Sequence, residues 1–402
     1  MQDGRRSPLA DWVLLMTNRP PFERIALLLQ GGGALGSYQA GVYQALAEAG
    51  LHPDWVAGIS IGAINSALIA GNPAGKRVDA LRAFWEAVTA PPPGLPAMIS
   101  SIVGAMAGNS DLAHGWFNQT QAFATLMGGA PDFFSPRPVP PFLSAPGTPS
   151  AESFYDVGPL KATLERLVDF DRINAGPMRF SVGAVNVRTG NFAYFDTTTH
   201  VIAPEHVMAS GALPPGFPAV EIDGEHYWDG GLVSNTPLQW VLESRPRQDT
   251  LAFQVDLWSA KGAFPQDLTS QDSRLKDIRF SSRTRAATDQ FRKSQSLRRA
   301  LGHLIKHVPK SALVKADPDI LGLISEADEK IYNIVHLIYR SKSYEGASKD
   351  YEFSRATMEE HWASGYADAS QTLSHPEVLR PADGPDGVAT FDLAELAQPG
   401  GP

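Results

Sequence analysis

Short apolar runs alternate along the chain with longer segments whose apolar residues recur at helical spacing. Residues 24–30 are one such run, ending in glycines, and 37–49 then set Val42, Leu46 and Ala49 at helical spacing before Gly50 stops the pattern. This reads as strand, tight turn, helix. Residues 55–59 form the next short strand, and 61–70, built largely from small residues and followed by Gly71, read as a helix packed closely on a sheet. Further strands are predicted at 180–186, 191–196 and 250–257, with 331–339 as the last. Nearly all-apolar strands alternating with helices predict an α/β fold, with a central, mostly parallel sheet covered by helices on both faces.

Two regions break this rhythm. Residues 91–153 are rich in proline and glycine and carry Trp116, Phe117, Phe123, Met127, Phe133, Phe134 and Phe142. They read as an irregular loop with a satellite core, or as a mobile, lid-like cover over an apolar site. Residues 271–310 hold 11 Lys or Arg against 3 Asp or Glu, in a chain whose net charge is -9. Leu297, Leu301, Leu304, Ile305 and Val308 recur there among Arg298, Arg299, Lys306 and Lys310, which predicts an amphipathic basic helix. Two readings stand: a surface helix docked on the core, or peripheral contact with an anionic membrane. Nucleic acid is not an expected partner.

At 402 residues and 43% apolar, the chain is long enough to bury a large core. The apolar stretches at 25–29 and 98–108 are far shorter than the roughly 20 residues that cross a bilayer. Arg5 and Arg6 precede only a short apolar run at 12–16, less than a secretory signal needs, so a cytoplasmic protein is expected. With no cysteine, disulfides, thiolate metal sites and a cysteine nucleophile are excluded, and no cofactor or metal is expected. The sequence carries no signal for oligomeric state.

Chemistry concentrates in two turns. Gly31-Gly32-Gly33-Ala34-Leu35-Gly36 follows a strand and opens a helix, a layout shared with dinucleotide-binding turns. That reading wants an acid at the end of the second strand. Asp54 precedes the strand instead, and no Gly-Lys-Ser or Gly-Lys-Thr marks a phosphate loop. The second strand runs into Gly58-Ile59-Ser60-Ile61-Gly62, where flanking glycines would let a serine stand exposed on a sharp strand-to-helix turn. Ser60 comes too early for the usual serine, aspartate, histidine order, and none of the ten histidines lies in a setting that marks a base. The partner chosen is Asp229, where the aromatic strand Tyr227-Trp228 meets Gly230 and Gly231. Burial beside Trp228 would raise its pKa. Residues 209–220 are expected to wall the site.

Four motifs in this order, the glycine turn, the serine turn, the Ala-Ser-x-Ala-x-Pro stretch from Ala209 to Pro214 and Asp229-Gly230-Gly231, resemble the bacterial patatin-like phospholipases. The resemblance covers roughly residues 24–339; Gln30 and Leu35 stand where plant members tend to carry Asp and a basic residue. It implies a serine lipid acyl hydrolase, a phospholipase A or lysophospholipase-like esterase acting on a lipid or acyl ester. Ser60 would be the nucleophile, Asp229 the proton acceptor, and the amides of Gly31, Gly32 and Gly33 the oxyanion hole. Gly36, Gly58, Gly62, Gly230 and Gly231 complete the motifs. The expected organisation is an N-terminal extension at 1–21, a catalytic domain at 22–340 with a basic helical insertion at 268–328, and a helical extension with a flexible tail at 341–402. An acyltransferase or thioesterase using the same serine, and a noncatalytic lipid-binding module, are the alternatives.

Overall fold

The computed structural model describes residues 19–90, 111–281, 284–309, 317–342 and 344–392. The stretch with Arg5 and Arg6, residues 91–110 of the expected cover, Lys310 and the tail from 393 onward lie outside the described residues.

Strand β1 (Arg24–Leu29) leads through the glycine turn into α1 (Ser37–Glu48), and β2 (Trp55–Gly58) leads through the serine turn into α2 (Ile61–Ala70). After α3 (Asp111–Gly128) come β3 (Arg179–Asn186), β4 (Phe192–Asp196), α4 (Pro204–Ser210), β5 (Val220–Ile222) and β6 (Glu225–Asp229). Then follow α5 (Leu238–Glu243), β7 (Thr250–Asp256), α6 (Leu268–Phe280), α7 (Thr284–Lys306) and α8 (Pro318–Glu326). Strand β8 (Tyr332–Ile338), α9 (Arg355–Leu373) and β9 (Val388–Asp392) complete the series.

Among the described residues these nine strands form one sheet, ordered β9-β8-β7-β1-β2-β3-β6-β5, with β4 also paired to β3. Neighbours from β9 to β3 run parallel, while β4, β5 and β6 add antiparallel pairs. The fold is therefore α/β with a mostly parallel sheet. Its central strands β1 and β2 are nearly all apolar because both faces are covered: Ile25, Leu27 and Leu29 of β1 face a large core with α1 and α2, and Ala26 and Leu28 face a second core with α5 and Phe291 of α7.

The basic helix is present, but it docks differently from its apolar pattern. Thr288, Phe291 and Gln295 are its buried side chains, whereas Leu297 and Leu304 are exposed. Phe291 packs edge-on against Tyr332 of β8, so the helix covers the sheet. Arg292 pairs with Asp386, Arg298 with Glu326 and Lys306 with Glu329, so much of its charge is answered by the protein's own carboxylates.

Two further expectations are corrected. The strand at 331–339 is not the last, since β9 pairs with it in parallel at the sheet edge. Nor are residues 111–153 wholly irregular: they contain the 18-residue α3, and Phe133 and Phe134 are buried among Tyr155, Phe217 and Phe353. The C-terminal helix α9 lies against α1 with backbones touching, because a side chain at Gly41 would fall on the Trp362 carbonyl and one at Gly365 on the Tyr38 carbonyl. Trp362 Nε1 donates to Gln44 Oε1 at 2.7 Å and Tyr38 Oη to Asp368 Oδ2 at 2.7 Å, tying the two helices together. No helix of the described residues is long and apolar enough to cross a membrane.

Candidate active site

Open parallel sheets place sites beyond the carboxyl ends of their strands, and here two such ends are adjacent. Leu29 of β1 pairs with Gly58 of β2, so the turns that follow them lie side by side. A Cβ on Gly31 would sit 3.0 Å from that of Ser60.

Ser60 has φ 55° and ψ -123°, backbone torsions that a residue with a side chain rarely adopts. Its surroundings hold it there. The backbone N–H of Ser60 donates to Ser210 Oγ at 2.9 Å, and that hydroxyl donates to the Gly183 carbonyl at 2.7 Å. Gly58 and Gly62 are packing glycines: a Cβ on Gly58 would strike the Gly62 backbone, and one on Gly62 would strike the Leu29 carbonyl. Gly36 likewise leaves room for Ile61 and Trp85. These three shape the turns without lining the cavity.

The glycine turn is held by its carbonyls. The Gly31 carbonyl accepts from Asn235 Nδ2 at 3.0 Å and Trp258 Nε1 at 2.9 Å. Because the C=O and the following N–H of one peptide point in opposite directions, this turns the Gly32 amide away from Asn235 and Trp258. Among the described residues, none of the Gly31, Gly32 and Gly33 amides is used in a backbone hydrogen bond. Gly33 adopts φ 56°, and its far side is closed by Asp350, whose carbonyl accepts from the Ala34 amide at 2.8 Å. Gln30 anchors the base of the turn, since its buried Oε1 accepts from the amides of Leu257 at 2.6 Å and Trp258 at 3.0 Å.

Asp229 ends β6, which pairs antiparallel with β3 and puts Asp229 opposite Ala184. The side chain is buried, lines the same cavity as Ser60 and accepts a hydrogen bond from the Gly231 amide at 2.7 Å. Burial pushes its pKa up from 3.8 to about 6, while the Ser60 hydroxyl and the Gly231 amide, which favour the charged form, hold the rise down. Trp228 does not supply the burial: alternation along the strand turns it to the opposite face, and it is not among the cavity residues. Gly230 is instead pressed against the Gly183 carbonyl and Ile59.

Ser60, Asp229, Gly231 and the three glycines of the turn meet at a cavity of about 300 Å³. Its walls are mainly apolar, from Ile64, Phe133, Phe134, Met208, Leu213 and Phe353, and the stretch expected to wall the site contributes 211–218 and 220. No histidine lines it among the described residues. His206 instead accepts from the Ala203 amide at 2.9 Å, and His361 is paired with Glu345. Asn235, Trp258 and Asp350 lie in no motif, and Ser210 has no role of its own within the Ala209–Pro214 stretch; each acts on a backbone group, which leaves no mark in the sequence.

A sheet carrying a strained serine turn, an adjacent glycine turn and a buried aspartate over an apolar cavity has the layout of a lipid acyl hydrolase. The family model described as patatin-like phospholipase matches residues 27–242, more than half of the chain, and the chain belongs to that family. A second model, described as patatin phospholipase, matches residues 278–384, from the end of α6 through α9. No curated protein matches the chain. Among solved structures it is similar to VipD from Legionella pneumophila, at 15% identity and a TM-score of 0.38, over 98% of this chain and 77% of that one.

Proposed function

We propose that the protein is a serine lipid acyl hydrolase working through a Ser60–Asp229 dyad. Asp229 takes the Ser60 proton as Oγ attacks the ester carbonyl, and the amides of Gly31, Gly32 and Gly33 hold the negative charge on the carbonyl oxygen. The proton then passes to the leaving alcohol, giving an acyl-enzyme. Water, deprotonated by Asp229, cleaves it and frees the acid. The observation that carries this reading is that Ser60, on its strained turn, and the buried Asp229 carboxyl line one apolar cavity together with the glycine turn. A carboxylate with a pKa near 6 is a better base for a hydroxyl than an exposed one, and amides aimed at the oxyanion contribute on the order of 10² to 10³ in rate per donor.

The cavity volume is at the low end of ligand sites, roughly 300–1,000 Å³, which favours one fatty acyl chain at a time. The family's description as patatin-like phospholipase supports a phospholipid or lysophospholipid acyl ester as the substrate class. Contact of residues 271–310 with an anionic surface has less support, because Arg292, Arg298 and Lys306 already face acids of the protein.

The test is turnover of a soluble p-nitrophenyl ester. Ser60→Ala and Asp229→Ala are each expected to abolish it while the protein stays folded, and a fluorophosphonate probe is expected to label the wild type at Ser60. Near wild-type rates in either variant would overturn the dyad. Preferred release of the acyl group to a thiol over water would make the enzyme a transferase or thioesterase.

A further inference from the structure

Helix α3 is amphipathic the wrong way round for a helix on a water-exposed surface. Its side toward the protein is small and polar, with Asn118, Ala122 and Thr125 buried. At 100° per residue Trp116, Phe123 and Met127 fall on the opposite side, and they are 70%, 64% and 66% exposed. Scattered exposed apolar residues need no explanation, but a stripe of three large ones at helical spacing, directly opposite a polar inner face, does. Residues 114–128 also contain no Asp, Glu, Lys or Arg.

The stripe adjoins the cavity. Thr125 and Leu126, on the same two turns as Phe123 and Met127, line it, and Tyr155, another lining residue, donates from Oη to the Leu126 carbonyl at 2.9 Å. An acyl chain leaving a lipid layer against this face would thus meet the cavity wall directly. The charge balance sets the kind of layer: an uncharged face on a chain of net charge -9 has nothing to draw it to an anionic surface.

We infer that α3 is the docking face for a zwitterionic or neutral lipid surface, with Trp116, Phe123 and Met127 entering its apolar boundary. The inference rests on the lipid acyl hydrolase reading for its choice of partner. It puts the membrane contact on α3 and not on the basic helix.

The experiment uses the full chain and vesicles of phosphatidylcholine, alone or with phosphatidylserine added. The wild type is expected to co-sediment with phosphatidylcholine alone, and added phosphatidylserine is expected to change binding by less than about twofold. The combined variant Trp116→Ser, Phe123→Ser, Met127→Ser is expected to lose at least about tenfold in vesicle binding and in hydrolysis of vesicle-borne ester. Its hydrolysis of soluble p-nitrophenyl butyrate is expected to stay at the wild-type rate, which also reports an intact fold. Undiminished vesicle binding by the combined variant would overturn the inference. So would binding that requires phosphatidylserine and is lost in Lys293→Glu on the exposed side of α7, or a wild-type dimer that the combined variant turns into a monomer. A wild type inactive on the soluble ester but bound to phosphatidylcholine through α3 would sink the hydrolase reading and leave the docking face standing.

Discussion

Ser210 accepts the backbone N–H of Ser60 at 2.9 Å and hands its own hydroxyl hydrogen to the Gly183 carbonyl at 2.7 Å. One buried side chain thereby fastens the strained turn to the neighbouring strand β3. Backbone torsions of this kind cost of order 1–3 kcal/mol and persist only where their surroundings enforce them. Ser210→Ala would leave both the amide and the carbonyl without their partner, and a buried unpaired group costs roughly 1–3 kcal/mol. The expected outcome is a loss of about that size in chemical denaturation, with a fall in kcat on a soluble ester larger than any change in KM. An unchanged kcat would show that the turn holds itself.

The raised pKa of Asp229 ties activity to stability with opposite signs. The unfolded chain holds this proton only below about pH 4 and the folded chain below about pH 6, so between these values the folded state binds more protons and its stability falls as pH rises. A rise from 3.8 to about 6, at 1.36 kcal/mol per unit, is worth about 3 kcal/mol. Asp229→Asn, which keeps an acceptor for the Gly231 amide, is therefore expected to unfold later than the wild type above about pH 6, with no advantage below about pH 4. Wild-type kcat/KM is expected to climb through about pH 6 as the base is freed. Denaturation series and a pH–rate profile check both.

The Gly31 carbonyl is held twice, by Asn235 and by Trp258. Removing one donor leaves the other, so Asn235→Leu and Trp258→Phe are each expected to lower kcat by about tenfold or less. The double variant is expected to lose more than the two combined, because the Gly31–Gly32 peptide is then free to turn. Steady-state kinetics of the four proteins on a soluble ester measure that coupling. Simple additivity would mean that the two donors do not act on a shared peptide.

How much of this was legible follows from how each feature is encoded. The path β1, glycine turn, α1, β2, serine turn and α2 was readable to within a residue or two, because apolar runs buried on both faces and glycines at close backbone crossings leave direct marks. Asp229 was readable as an acid before two glycines, but its burial was not: Trp228 was the visible candidate, and strand alternation sends it away. Helix α3 is hard to read because Phe117 and Leu126 lie off the stripe of Trp116, Phe123 and Met127, and Gly115 and Gly128 stand within the helix. The packing of α7 was misjudged for a related reason, since the sheet meets Phe291 while Leu297 and Leu304 stay exposed. Strand β9 is short and lies at the sheet edge, where neither length nor full burial sets it apart.

Gly33 and Gly50 together separate backbone strain from steric exclusion. Both have positive φ, 56° and 72°, so alanine at either position carries a similar intrinsic penalty, about 1–2 kcal/mol. Their surroundings differ. A Cβ on Gly50 meets nothing within 4 Å, whereas one on Gly33 would fall on the Asp350 carbonyl that also accepts from the Ala34 amide. That carbonyl cannot retreat freely, because Asp350 pairs with Lys276 of α6 at 2.9 Å, and the adjoining Lys349 binds Asp277 at 2.6 Å. Gly50→Ala is therefore expected to lose about 1–2 kcal/mol of stability and to keep wild-type kcat. Gly33→Ala must either shift the glycine turn or push 349–350 off α6, and in both cases the proposed oxyanion donors move. Its kcat on a soluble ester is expected to fall by about 10² or more, beyond anything its loss of stability explains. If Gly33→Ala kept its rate, the amides of this turn would not be the groups that hold the oxyanion.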